Sequence, residues 1–407
     1  MRIVDVCAFY TPAGGGVRTY VDAKLKWASR NGHEMIVLAP GERAETTRRG
    51  PGAFMVTIPS PTLPVDRRYR YFNDETLVHR TLDLWRPDHV EASSPWSSAA
   101  MVGRWNGTAT RSLIMHCDPL AAYAYRWLGG VAPTTAIDRM FGWFWRHLRR
   151  LDDMFDVVIC ANRQLASRLD RGGVTKSEAL GMGVEGGLFS PSLRSADLRA
   201  AALRSLGLDS DATLMLAIGR LSAEKRWDMV LRAASGLNPD AGLIVVGDGP
   251  RRRQLERLTG RFTNVKVMGP IADRFELARL LASSDALVHG CEAETFCMAA
   301  AEARASGIPL IVPDRGAAVD QTVRRAGVVY RSGSERSLEN AMRRFVERGP
   351  ELQRMRATLH SDVRTMDEHF AQLFQRYEAL DNSRITLIRP QADFVEPLPR
   401  PSIAAGA

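Results

Sequence analysis

Short, mostly apolar runs recur along this chain, separated by stretches whose apolar residues fall three and four apart. In the first half the runs lie at 3–8, 35–39, 54–58, 89–92, 112–115 and 157–160. In the second half they lie at 213–218, 242–246, 265–267, 286–289, 310–312 and 328–330. Intervening segments such as 17–30 and 76–85 carry helical spacing. Buried strands alternating with helices predict parallel sheets covered on both faces. The pattern restarts after the glycine-dense stretch from Leu180 to Pro191, so it predicts two domains joined there. The expected layout is an N-terminal domain over 1–182, a hinge over 183–191 and a C-terminal domain over 192–365. An amphipathic helix follows over 366–381, and then a proline-rich disordered tail over 382–407. A length of 407 residues suits two domains.

Composition adds limits. No apolar run approaches the roughly 20 residues that cross a bilayer, and Met1 leads into a strand rather than a signal segment. Cys7, Cys117, Cys160, Cys291 and Cys297 form no C-x-x-C pair, which predicts reduced thiols in a cytoplasmic protein. The net charge is +9, and about two-thirds of the excess lies before Gly181. Such a balance suits nucleic acid, anionic lipid or phosphorylated small molecules. Two stretches mix bases with aromatics, one from Arg67 to Phe72 and one from Arg139 to Arg150. In the second, Phe141, Phe144 and Trp145 share a face flanked by arginines. This describes either a helix in an anionic lipid interface or a core helix with a basic outer edge. No recognised nucleic-acid module surrounds either stretch, so nucleic acid is not an expected partner.

Candidate chemistry collects where strands end. Gly14, Gly15 and Gly16 sit between the first strand and first helix, where bare backbone can approach a ligand. The pattern is neither G-x-G-x-x-G nor a Walker loop. His116 and Asp118 follow the run at 112–115. Arg220 leaves the strand at 213–218 and Lys225 opens the next helix. Together they suit a diphosphate, or else Lys225 pairs with Glu224 or Asp228. The turn from Gly247 to Pro250 reads as structural. Glu294 precedes an alanine-rich helix and Glu302 is expected two turns into it, with Gly307 and Pro309 ending that helix. The first can accept from sugar hydroxyls and the second can hold a vicinal diol. The plain alternative is two solvated glutamates on an amphipathic helix.

In this order, the motifs closely resemble the family 4 retaining glycosyltransferases over residues 1 to about 380. The resemblance implies an α/β chain with two facing Rossmann-like domains, the GT-B architecture, and a cleft between them. It implies that Arg220 and Lys225 hold a donor diphosphate, that Glu302 binds the ribose and that Glu294 binds the transferred sugar. Phe296, Cys297 and Met298 would present amides to the diphosphate, Gly15 and Gly16 would border phosphate and acceptor, and His116 would lie near the reaction centre. The last helix would cross back to the first domain. The donor would be a UDP- or GDP-sugar, with no further cofactor and no metal. The acceptor would be a carbohydrate or a lipid-linked glycan, with an anionic membrane surface as a candidate partner at the cytoplasmic face. One departure stands out: Cys297 occupies a position that is commonly glycine in the family. Two other activities fit the same residues, a sugar-nucleotide 2-epimerase and a non-catalytic, membrane-bound nucleotide-sugar sensor.

Overall fold

The structure is a computed structural model, and it describes residues 1–11, 16–64, 66–116, 118–128, 131–322, 327–348, 351, 359 and 363–388. The N-terminal lobe runs β1 (Arg2–Val6), α1 (Gly16–Arg30), β2 (Glu34–Gly41), β3 (Glu45–Gly50), β4 (Ala53–Pro59), β5 (Thr62–Leu63), β6 (Asp66–Arg70), α2 (Glu75–Trp85), β7 (His89–Ala92), α3 (Ser97–Arg104), β8 (Thr110–Met115), α4 (Tyr125–Leu128), α5 (Thr134–Met140), α6 (Gly142–Met154), β9 (Val157–Cys160), α7 (Arg163–Arg171) and β10 (Ser177–Ala179). Its sheet has the order β10-β9-β8-β7-β1-β2-β4-β3, parallel except for the edge strand β3. The predicted strands are all present. The sequence pattern missed β3, whose residues are polar and largely exposed, the three-residue edge strand β10 and the small β5–β6 hairpin.

The C-terminal lobe runs α8 (Ala196–Arg204), β11 (Thr213–Ile218), α9 (Trp227–Ser235), β12 (Ala241–Val246), α10 (Arg252–Thr259), β13 (Val265–Met268), α11 (Arg274–Ser283), β14 (Ala286–Val288), α12 (Met298–Ala305), β15 (Leu310–Pro313), β16 (Gly327–Tyr330) and α13 (Glu335–Glu347). Its six parallel strands take the order β13-β12-β11-β14-β15-β16. Every central strand is buried on both faces, which is why these strands read as continuous apolar runs.

The chain passes between lobes twice, and the passes touch. Val184 bridges Thr365, with Val184 N donating to Arg364 O at 2.9 Å and Met366 N to Val184 O at 2.7 Å. A Cβ on Gly183 would lie 2.1 Å from Thr365 O, so only glycine fits at this crossing. The last helix, α14 (Met366–Ile388), packs Phe370, Leu373, Phe374 and Tyr377 into the N-terminal core. It runs on past Asp381, where the sequence reading placed the start of a disordered tail. The rest of that tail lies outside the described residues.

Beneath α1 sits a buried ionic knot. Lys24 Nζ lies 3.1 Å from Asp5 Oδ2 on β1 and 2.5 Å from Glu91 Oε1 on β7, with all three side chains fully buried. Tyr377 of α14 donates to Glu91 Oε2 at 2.5 Å, and so ties the last helix to the first sheet. Burial, and then Glu91, raise the Asp5 carboxyl to about 7.

Candidate functional site

The loops at the carboxyl ends of the two sheets meet. Thr295 Oγ1 of the C-terminal lobe donates to His116 O at 2.6 Å, and Asn162 Nδ2 donates to Thr295 O at 2.5 Å. Met298 packs against the N-terminal core. The Arg220 guanidinium lies 5.7 Å from the Tyr69 ring of the opposing hairpin, with Nη1 3.5 Å from the phenol oxygen.

The alanine-rich segment forms α12 because its residues are strong helix formers. Five other helices, α2, α7, α8, α11 and α13, begin with an Asp, Asn or Ser cap. α12 begins at Cys297 with no side-chain cap, which keeps its first amides available to an anion. Cys297 adopts φ 65° and ψ 71°, the left-handed region. That conformation explains why glycine suits this position and why a β-branched residue would strain it.

Lys225 forms an ion pair with Glu294 in front of this helix. The expected alternatives do not occur: Asp228 pairs with Arg251, and Glu224 accepts from Ser222. Burial acts to raise the Glu294 carboxyl, but the Lys225 ammonium and His289 hold it well below its ordinary value. Burial acts on Lys225 in the opposite sense, and Glu294 outweighs it, so the ammonium stays charged. His289 is buried, with Nε2 3.3 Å from Glu294 Oε1. His289, Glu294 and Cys297 bring three donor atoms within 4.8 Å of one another. A metal ion there would have to displace Lys225 from the carboxylate oxygen it shares with His289. It would also need the thiol deprotonated, which burial and then Glu294 oppose.

Around this pair, Trp227 Nε1 donates to Arg220 O at 2.8 Å and fixes the strand end that carries the guanidinium. Arg226 pairs with Glu292, two residues before Glu294. A Cβ on Gly316 would lie 2.3 Å from Glu292 O, and its φ is +80°, so the β15 loop closes against this segment only through glycine. Glu302 lies one turn into α12, not two. It is buried and accepts from Arg274 Nη2 at 2.8 Å. Burial raises its carboxyl and Arg274 opposes this. Arg274 also lies over the Phe189 ring at 5.0 Å and 3.7 Å from Glu185, so the segment 183–191 reaches the partner of Glu302.

The His116 imidazole is half-buried at the end of β8, with its Nε2 out of contact with solvent, and lies edge-on to Tyr20 at 5.2 Å between centroids. Its Nε2 has no hydrogen-bond partner among the described residues. Burial lowers its pKa to about 4, so at neutral pH the ring is uncharged. Gly16 opens α1 with no atom within 4 Å of where a Cβ would be. Gly15 lies outside the described residues. Phe296 accepts at its carbonyl from Gln321 Nε2 at 3.3 Å.

Arg274, His289, Arg226, Thr295 and Tyr69 were not singled out from sequence. Their partners lie between 5 and 179 positions away, Thr295 reaching His116 across 179. No local pattern announces contacts at the long separations. The α6 face formed by Phe144 and Trp145 points into the core, which decides against that face as a lipid-interface surface.

Comparison with known proteins gives the family and the fold. Residues 15–180 match the glycosyl transferase 4-like domain family, and residues 199–359 match glycosyl transferases group 1. The chain is 32% identical, over 88% of its length and 90% of the relative's, to a GDP-mannose-dependent alpha-(1-6)-phosphatidylinositol dimannoside mannosyltransferase of Mycobacterium tuberculosis. It is 30% identical, over 95% of its length and 98% of the relative's, to a GDP-mannose-dependent alpha-mannosyltransferase of the same organism. Among solved structures, sucrose-phosphate synthase from Thermosynechococcus elongatus superposes with a TM-score of 0.73 at 19% identity, covering 94% of this chain and all of that one.

Proposed function

The chain belongs to the group 1 glycosyl transferases, the family 4 retaining enzymes of GT-B fold, and from that premise we propose that it moves mannose from GDP-mannose to a hydroxyl of a lipid-linked acceptor at a membrane surface. The observation that carries the site assignment is the Lys225–Glu294 pair standing before the uncapped start of α12. An ammonium, the Arg220 guanidinium and helix amides together complement a diphosphate. The acceptor oxygen forms its bond to the anomeric carbon as the bond from that carbon to the diphosphate oxygen breaks. The acceptor proton passes to the departing phosphate, and the nucleoside diphosphate leaves.

In this reading Lys225 exchanges Glu294 for the diphosphate when donor binds, and the released carboxylate accepts from sugar hydroxyls. Glu302 exchanges Arg274 for the ribose diol. Neutral His116 offers a hydrogen bond to the sugar without adding charge beside the developing positive anomeric carbon. The GDP and mannose assignments, and the membrane acceptor, rest on the relatives' activities. No helix among the described residues is long and apolar enough to cross a membrane.

The test is transfer from radiolabelled GDP-mannose and UDP-glucose to a mycobacterial lipid extract, beside thermal shift with GDP, UDP and ADP. The reading expects a labelled lipid from GDP-mannose alone and the largest melting shift with GDP. Epimerised donor released without acceptor would support the 2-epimerase instead. Nucleotide binding with no transfer from any donor would support a sensor.

A further inference from the structure

On the N-terminal lobe, outside the diphosphate site, α3 and α6 frame an open hollow lined by Trp96, Ser97, Trp143, Arg146, His147 and Arg150. Its chemistry is one-sided, because no carboxylate lines it. Arg146 and Arg150 stand four residues apart on one helix, where like charges repel. Neither has an ion-pair partner among the described residues, whereas Arg168, Arg226, Arg251 and Arg274 each have one. His147 is oriented by Pro95 O, 2.7 Å from its Nε2. The eight-residue helix α3 starts at Ser97 with no side-chain cap. Unpaired guanidinium groups, an uncapped helix start and two indole walls together describe an anion site with an amphipathic rim.

Its position adds direction. α3 leaves the carboxyl end of β7, and the first turn of α6 lies at the same edge of the sheet, because α6 runs back to the start of β9. That is the edge from which His116 leaves β8. Beside the hollow, Trp143 is 53% and Met140 64% exposed, large apolar side chains turned to solvent next to the arginines. A free phosphate would use the charges but not these side chains, whereas a lipid head group uses both.

We propose that this hollow is a phosphate subsite that seats the phosphodiester head group of an anionic membrane lipid on the acceptor lobe, with Trp143 and Met140 entering the interface. The proposal rests on the reading that the acceptor is held at a membrane.

The experiment is co-sedimentation of the full chain with phosphatidylglycerol-containing vesicles at low salt, against pure phosphatidylcholine vesicles. Arg146→Glu/Arg150→Glu is compared with Arg253→Glu/Arg257→Glu, an equal charge change on α10 of the other lobe. Wild type is expected to partition to the anionic vesicles, the α6 reversal to weaken this at least about 30-fold and the α10 reversal less than about threefold. Trp143→Ala and Arg146→Gln, milder changes, are each expected to weaken it by about three- to tenfold, which keeps the test valid if the double reversal misfolds. Equal loss from both reversals would mean general charge attraction and would overturn the subsite. Stabilisation of wild type by soluble glycerophosphate, with no vesicle binding, would overturn the lipid in favour of a free phosphate. A GDP-induced melting shift is read for every form. Its absence from wild type counts against the donor assignment and leaves the vesicle result to decide this proposal.

Discussion

Replacing Lys225 by methionine separates what the ion pair does for the fold from what it does for the reaction. The change keeps most of the side-chain volume and removes the ammonium from Glu294. About a fifth of each side chain is exposed, 19% for Lys225 and 21% for Glu294. Breaking a fully buried pair costs about 3–5 kcal/mol, and this residual solvent access reduces the expected cost to about 2–3 kcal/mol. The cost depends on pH in a defined sense. The Glu294 carboxyl is held below its ordinary value near 4.5, so the pair's contribution is full above that pH and is lost as pH falls below it. In urea denaturation at pH 7, Lys225→Met should lose those 2–3 kcal/mol. The double variant Lys225→Met/Glu294→Gln should recover at least about 1.5 kcal/mol relative to additivity. Turnover should not recover. Loss of one diphosphate-stabilising cation costs about 10²–10³ in kcat, and the double variant also lacks the carboxylate for the sugar. A coupling energy below about 0.5 kcal/mol, or a single variant within about tenfold of wild-type turnover, would refute the reasoning.

Other outcomes follow from the same structure. Lys24→Met leaves Asp5 and Glu91 facing each other in a fully buried site, and should cost about 3–5 kcal/mol and roughly 10 °C in Tm. A change within about 2 °C would show that the knot adds little. Desolvation lowers the His116 pKa to about 4, so at this site the unfolded chain binds the extra proton between that pH and about 6.5, and His116 by itself contributes a loss of stability of about 1.4 kcal/mol per pH unit on acidification through this window. His116→Asn should flatten that slope in denaturant titrations, and an unchanged slope would contradict the burial argument. Cys297→Gly should fold and retain the GDP-induced melting shift, because glycine accepts the left-handed backbone. Cys297→Val should lose stability by about 1–2 kcal/mol or more. Equal melting temperatures for the two variants would show that no strain resides there.

Much of the fold is written in local pattern. The central strands are buried on both faces, so each appears as an apolar run, and helices between them carry their own spacing. Strand β3 escaped because it is a polar edge strand whose reason to be extended is its partner β4 rather than its own composition. Within the site, Arg220, Lys225, Glu294 and Glu302 stand out because they leave strand ends or open helices. Arg274 carries no such mark, since it meets Glu302 only when α11 packs beside α12. The Lys24 knot was equally hidden: Asp5 and Glu91 are single polar residues within strands, and only the fold sets a lysine between them. On α6, sequence narrowed the choice to core or membrane for one aromatic face. Packing divides the helix, sending Phe144 and Trp145 inward and leaving Trp143 outside.

The most direct measurement is a crystal structure of the full chain soaked with GDP. The account predicts the diphosphate at the start of α12, bonded to Arg220 and Lys225, with Lys225 drawn away from Glu294 and the ribose on Glu302. A diphosphate bound elsewhere, with the Lys225–Glu294 pair intact, would contradict it.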